Sequence, residues 1–201
     1  MPSIATLKKL LTKTPKFLPG PLAVAIGAGA VAGSGAVADE KGDGNVHVTT
    51  ITLTDRVVTM TDATTAGNHG TSAVYTFPFG NIVVLGASCN LTTAAGTGGI
   101  ADTAALVGSV GSVAVGTDNA TLTSTEADII PSTAGTLSSG AGVLKGESTA
   151  LAAIDNTTTG TSGTAKTAKL NLAVPDAGTS GNDTITVNGT ITLVWINAGD
   201  N

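Results

Sequence analysis

Aromatic side chains make up only 2% of this 201-residue chain, and charged ones only 11%. One Trp, one Tyr and three Phe leave little with which to build a stacking platform for sugars or bases. A single cysteine, Cys89, cannot close an intramolecular disulfide, so no disulfide framework staples the fold. Beside Ala87 and Leu91 it reads as a small buried hydrophobe rather than a reactive thiol. The two histidines, His47 and His69, have no metal-type spacing between them or to the lone cysteine. His47 falls in an expected strand and His69 in an expected loop, and both read as structural or solvated residues. No zinc site or other cofactor site is therefore expected, and none is assigned.

The few charges are unevenly placed. Residues 1–38 hold four lysines and no acid, whereas the remainder holds five basic and fourteen acidic residues. That is +4 on the N-terminal segment and −9 on the body, within a net charge of −5. No basic patch is visible in the body, which disfavours nucleic-acid binding there. Low charge with a positive mean hydropathy of +0.33 argues against a solvated, disordered chain.

The candidate chemistry is thin. Ser88, in Gly-Ala-Ser-Cys-Asn, lacks the flanking pattern of a hydrolase nucleophile. Glu126 and Asp128 would share a face if extended, as paired glycosidase acids do. Without aromatic residues to form a sugar cleft, an exposed turn ending at Ile129-Ile130-Pro131 is preferred, with Asp128 free to bond local amides. Five Asn-x-Thr sequons, at Asn90, Asn119, Asn156, Asn182 and Asn188, arise from a Thr-rich composition and matter only in a secretory setting.

What the sequence does have is threonine, valine, alanine and glycine in period-two alternation. Many short strands with tight turns follow from that. Strands are expected over 46–53 and 56–61 around Thr54-Asp55, over 72–79 and 81–85 around Gly80, and over 88–93, 110–115, 120–125 and 166–174. Residues 39–45 read as a polar turn; Asp39, Asp43 and Asn45 there lack EF-hand spacing. Residues 63–70, 135–142 and 156–164 read as loops, 100–107 as a helical turn or two, and 143–154 as ambiguous. Near the C-terminus, 184–187 and 190–196 flank Asn188-Gly189, a strong hairpin signal. A bulged three-residue loop there puts Ile185, Ile191, Leu193 and Trp195 on one face and Thr184, Thr186, Thr190 and Thr192 on the other. Trp195 then reads as a core anchor. The expected fold is an all-β antiparallel sandwich or jelly roll over 46–201, preceded over 1–45 by an arm made of a short helix and an extended Ala/Gly-rich segment.

The arm begins with Ile4, Leu7, Leu10 and Leu11 at helical spacing behind Ser3, and stops at Thr14-Pro15. So short a helix needs a surface to lie on. Ile4, Leu7, Lys8, Lys9, Leu11, Lys13 and Phe17 are the candidate partner-binding residues. Residues 17–38, apolar and rich in Gly and Ala, admit four readings. A signal peptide would use Ala36-Val37-Ala38 for cleavage, but Pro19-Gly20-Pro21 interrupts its apolar segment. A membrane helix would contain too many glycines. A dinucleotide fingerprint on Gly27, Gly29 and Ala32 lacks its following helix. An arm lying on neighbouring subunits is the reading adopted.

Two stretches carry a resemblance. TLTSTEADIIPSTAGT over 121–136 and LNLAVPDAGTSGNDTITVNGTITLVWINAGDN over 170–201 resemble a group of tailed-bacteriophage virion structural proteins encoded near the major capsid gene. The resemblance spans roughly 71–201 and does not include the Lys-bearing N-terminus. It implies a particle component, in particular a head decoration or cement protein, with a jelly-roll-like fold. The implied partners are the major capsid protein and further copies of this chain, with no small-molecule substrate and no catalytic residues. The competing expectations are a secreted or cell-surface adhesive β-domain and a glycan-binding or glycan-cleaving domain. Neck, tail or fibre placement is the alternative within the virion class.

Overall fold

Alternating β-branched and small polar residues form strands over most of the described residues. The structure, a computed structural model, describes residues 35–42, 46–63, 67–78, 80–116, 122–138, 142–156, 166–175 and 180–198, with the backbone alone for 153–156. The described residues form ten strands: β1 (Ala36–Gly42), β2 (Val46–Asp62), β3 (Asn68–Thr76), β4 (Gly80–Ala95), β5 (Ala105–Gly111), β6 (Ile130–Thr136), β7 (Gly142–Glu147), β8 (Ala152–Asn156), β9 (Thr167–Val174) and β10 (Asp183–Asn197). All strand pairs are antiparallel.

The hydrogen-bonded order is β6-β5-β9-β3-β2-β10-β4-β7, with β1 added beside β2 and β8 beside β4. Setting β1 and β8 aside, the eight remaining strands, counted in chain order, form one sheet in the order 1-8-3-6 and a second in the order 2-7-4-5. That interleaving of two Greek keys is a jelly roll, as expected. The two sheets join where β2 meets β3 at Thr61↔His69 and Asp62↔Asn68. Before that junction the strands diverge, and Arg56 spans the gap. Its Nε donates to Ser72 Oγ at 2.7 Å and its Nη2 to Ala73 O at 3.2 Å. At the other end β6 and β7 approach, with Val143 N–H donating to Thr136 Oγ1 at 2.9 Å. The sandwich is thus nearly closed into a barrel.

Several expected turns are continuous strand instead. Neither Thr54-Asp55 nor Asn188-Gly189 reverses the chain; each lies within one long strand, β2 or β10. The two signals face each other across the β2–β10 ladder. The register runs Val187↔Arg56, then Gly189↔Leu53, so Thr54 and Asp55 together oppose Asn188. This is a β-bulge on β2. Asp55 adopts φ +48 and Gly189 φ +125. Asn188 Oδ1 accepts the Asp55 N–H at 2.7 Å. The extra residue shifts the phase of β2: His47, Thr49, Ile51 and Leu53 point inward before it, and Val58 and Met60 after it. Strand β10 keeps its phase, so Ile185, Ile191, Leu193 and Trp195 share the core face as expected, joined by Val187. Bulged Leu85 does the same to β4, where Val194 opposes Gly86 but Trp195 opposes Val84.

Other corrections are local. Residues 36–42 are strand β1 rather than the end of an arm and a polar turn, because their inward alanines and Glu40 pack on β2. Strand β3 starts at Asn68, inside the expected loop, and ends before Pro78. Gly80 opens β4, which runs through both expected strands. Strand β5 occupies Ala105–Gly111, overlapping the helical turn expected over 100–107, and ends before the expected 110–115 strand is complete. Around the expected 120–125 strand, Ser124–Glu126 form a short 3-10 turn, because Glu126 reaches back to the Thr123 N–H. Ile130–Thr136 form edge strand β6, and the ambiguous 143–154 segment divides into β7 and β8.

The core is aliphatic over most of its length, with Ile51, Val58, Met60, Leu170, Leu172, Ile185 and Ile191 each fully buried. Trp195, Tyr75 and Phe77 gather at one end.

Candidate functional site

The sequence-derived binding residues Ile4, Leu7, Lys8, Lys9, Leu11, Lys13 and Phe17 lie outside the described residues, as do Asp43 and Asn45. What is described is the point where that N-terminal segment joins the body. Strand β1 follows Gly35 directly and forms an edge of the first sheet (β1, β2, β10, β4, β7 and β8). Gly35 adopts φ +81, and a Cβ there would lie 2.6 Å from Thr54 O, so the chain enters against the β2 backbone. The Thr54 N–H donates to Gly35 O at 2.9 Å.

Ala36, Ala38 and Glu40 face inward, while Val37, Asp39 and Lys41 are exposed. Glu40 is the polar member of the inward set. Its Oε1 lies 2.7 Å from His47 Nδ1 on β2, and its Oε2 accepts from the Tyr75 hydroxyl on β3 at 2.7 Å. One carboxylate therefore fastens the edge strand to both sheets. His47 stacks on Trp195 with ring centroids 4.0 Å apart and planes 9° apart. Trp195 Nε1 donates to Thr49 Oγ1 at 2.9 Å. Phe77 meets both Trp195 and Tyr75 edge-on. His47, Trp195 and Tyr75 are all at least nine-tenths buried. The cluster is packed and hydrogen-bonded. Its chemistry is that of a clasp. The sequence signal for it was the alternation of Ala36, Ala38 and Glu40 with Val37, Asp39 and Lys41.

The other polar residues singled out earlier are also structural. Asp128 Oδ1 and Oδ2 accept from the Ser112 N–H at 2.8 Å and the Ser112 hydroxyl at 2.6 Å. Glu126 Oε1 accepts from the Gly116 N–H at 2.7 Å. The two acids thus tie down the β5–β6 connection instead of converging on a cleft. Sequence reading missed Asn171, which is fully buried on the outward side of β9. Its Nδ2 donates to Val113 O and Glu126 O at 2.9 and 2.8 Å, and its Oδ1 accepts from Thr71 Oγ1 and the Val115 N–H at 2.7 and 3.1 Å. The connection is thereby laid over the outer side of the second sheet (β3, β9, β5 and β6). Lys169 Nζ donates to Ser112 O at 3.0 Å. Desolvation pulls this ammonium below its ordinary pKa, Lys166 adds to the effect and Asp128 opposes it.

Cys89 is buried as expected, and that burial raises its thiol pKa against a weaker lowering by a backbone bond at Gly146. On the outer face beside it, Ser88, Asn90, Lys145, Glu147 and Thr190 line a shallow open depression. Asn68 Oδ1 and His69 Nδ1 are buried without a hydrogen-bond partner among the described residues. As neighbours on a strand they face opposite sides and do not converge on one ligand. Among the described residues, no group of three or more His, Cys, Asp or Glu is placed to hold a metal ion, and no helix is long and apolar enough to cross a membrane.

No protein-family model matches the chain, and no curated protein sequence matches it.

Proposed function

We propose that this chain is a non-enzymatic structural component of a tailed-phage particle: a capsid decoration or cement protein that bridges and stabilises major capsid proteins. The observation that carries this reading is the strand order. The resemblance over 121–136 and 170–201 implied a jelly roll, and the order of the sheets is that of a jelly roll. Fold alone hosts many functions. The attachment of the N-terminal segment adds support, because Glu40 clasps β1 at a sheet edge directly after a 34-residue segment that is apolar and cationic. A segment anchored there can reach a neighbour and add contact without a large separate interface. Its +4 charge suits attraction to acidic neighbours, weakened by salt.

The test is occupancy on purified heads by cryo-electron microscopy, with N-terminal mass spectrometry on the same sample. The full chain should appear as density on the capsid lattice with its N-terminus intact. Deleting residues 1–34, which leaves β1 and its clasp in place, should weaken occupancy. Undiminished occupancy would refute the bridging role of the segment. Absence from particles, with a mature chain starting near Asp39, would refute the capsid reading and favour a secreted β-domain.

A further inference from the structure

The two outer faces of the sandwich differ. On the second sheet, Asn171 points outward yet is fully buried, bonded to Val113 and Glu126 of the protein's own β5–β6 connection. Among the described residues no such connection covers the first sheet. Over 46–54 of β2, 188–196 of β10 and 81–92 of β4, no residue carries a charged side chain except buried, inward-facing His47 when protonated. Charges sit at the margins instead: Asp39 and Lys41 on β1, Lys145 and Glu147 on β7, and Asp55 at the bulge. Of the eight exposed large hydrophobics among the described residues, six lie on this sheet: Val37, Val46, Val48, Val57, Leu85 and Val143. Loss of charge with retention of apolar side chains is the composition of an interface centre, not of a solvated face.

We infer that the outer face of the first sheet is a self-association surface, and that its occupant is the same face of a second copy of this chain. Three arguments select that occupant. The body carries −9 overall, so most of its surface would repel a second copy, whereas this uncharged area would not. A sheet face brings all its backbone groups already paired, so two can stack about 10 Å apart without orphaning any, which a lone extended segment laid across the strands could not do. The area is in range: the uncharged centre, about nine residues along three strands, spans roughly 30 by 14 Å, or about 400 Å², and the charge-bearing rims on β1 and β7 widen the face to roughly 600 Å². A standard-size interface uses about 800 Å² per partner. At the centre, Thr52 pairs with Thr190 and Thr50 with Thr192, a block of short side chains that permits close approach. A twofold axis through that block makes the contact isologous. This inference does not rest on the capsid reading.

The experiment is sedimentation-velocity ultracentrifugation of the full chain across a concentration series. The variants are Thr190→Arg and Val48→Lys on the face, and Thr103→Arg at an exposed site off this sheet. The wild-type chain and Thr103→Arg should dimerise alike. Thr190→Arg, which sets two guanidiniums near the twofold axis, should weaken dimerisation at least about a hundredfold, as truncating a buried hot spot does. Val48→Lys should weaken it in the same direction. Near-native Trp195 fluorescence separates lost association from lost folding. A wild-type chain that stays monomeric at about 100 μM would overturn the proposal, whether its own N-terminal segment or a different protein covers the face. A dimer that survives both face substitutions would overturn it as well.

Discussion

Replacing Glu40 by alanine removes one carboxylate that is bonded to side chains on two other strands, His47 on β2 and Tyr75 on β3. Both contacts are 2.7 Å. A hydrogen bond to a charged group contributes about 1.5–3 kcal/mol net, so the two together amount to about 3–6 kcal/mol. Against this, the fold no longer has to desolvate a carboxylate whose side chain is only 18% exposed. The net loss should be about 2–4 kcal/mol. Tyr75→Phe removes one of the two bonds while the carboxylate stays in place, and should cost about 1.5–3 kcal/mol. The double variant should cost less than the sum, with a coupling of about 1 kcal/mol. Urea unfolding followed by Trp195 fluorescence measures all three, because His47 is stacked on that indole. Hydrogen exchange at the amides of β1 and their β2 partners should show the edge strand opening below the global transition. The reasoning fails if Glu40→Ala leaves the midpoint within about 0.5 kcal/mol of wild type and the β1 amides protected as before.

Two glycines and Cys89 give the remaining outcomes. Gly189→Ala should destabilise by about 2–4 kcal/mol, since φ is +125 and a Cβ would lie 2.3 Å from Asn90 O. Gly181→Ala, with φ +143 but nothing within 4 Å of its Cβ, should cost less in the same unfolding assay. Cys89 should resist thiol reagents until the chain unfolds. Because burial raises its pKa in the fold, the unfolded chain ionises first on the alkaline side. The thiol's contribution is present below the ordinary thiol range and is lost as pH rises through the folded pKa. Cys89→Ala should therefore flatten the alkaline fall in stability, which a pH series of urea midpoints would show.

The sequence reached the class of fold through its period-two pattern, because inward and outward residues on a strand must alternate whatever the partner. It also identified the core face of β10, Ile185, Ile191, Leu193 and Trp195, and the burial of Cys89. These depend only on which side of a strand a residue occupies. The connectivity was not legible. Thr54-Asp55 and Asn188-Gly189 carry the signature of a reversal, but a positive φ and a side-chain acceptor serve a bulge as well as a turn. Local sequence reports the backbone conformation and not where the chain goes next. The choice was made by ladder partners far away in sequence: β1 and β10 on either side of β2, and β2 and β4 on either side of β10. The same holds for the clasp. Glu40 in isolation is an acid near a polar stretch, and only the meeting of β1, β2 and β3 places it between His47 and Tyr75. Alternation is a property of one strand, whereas reversals, bulges and buried polar contacts are properties of pairs, and the pairs exist only once the chain has folded.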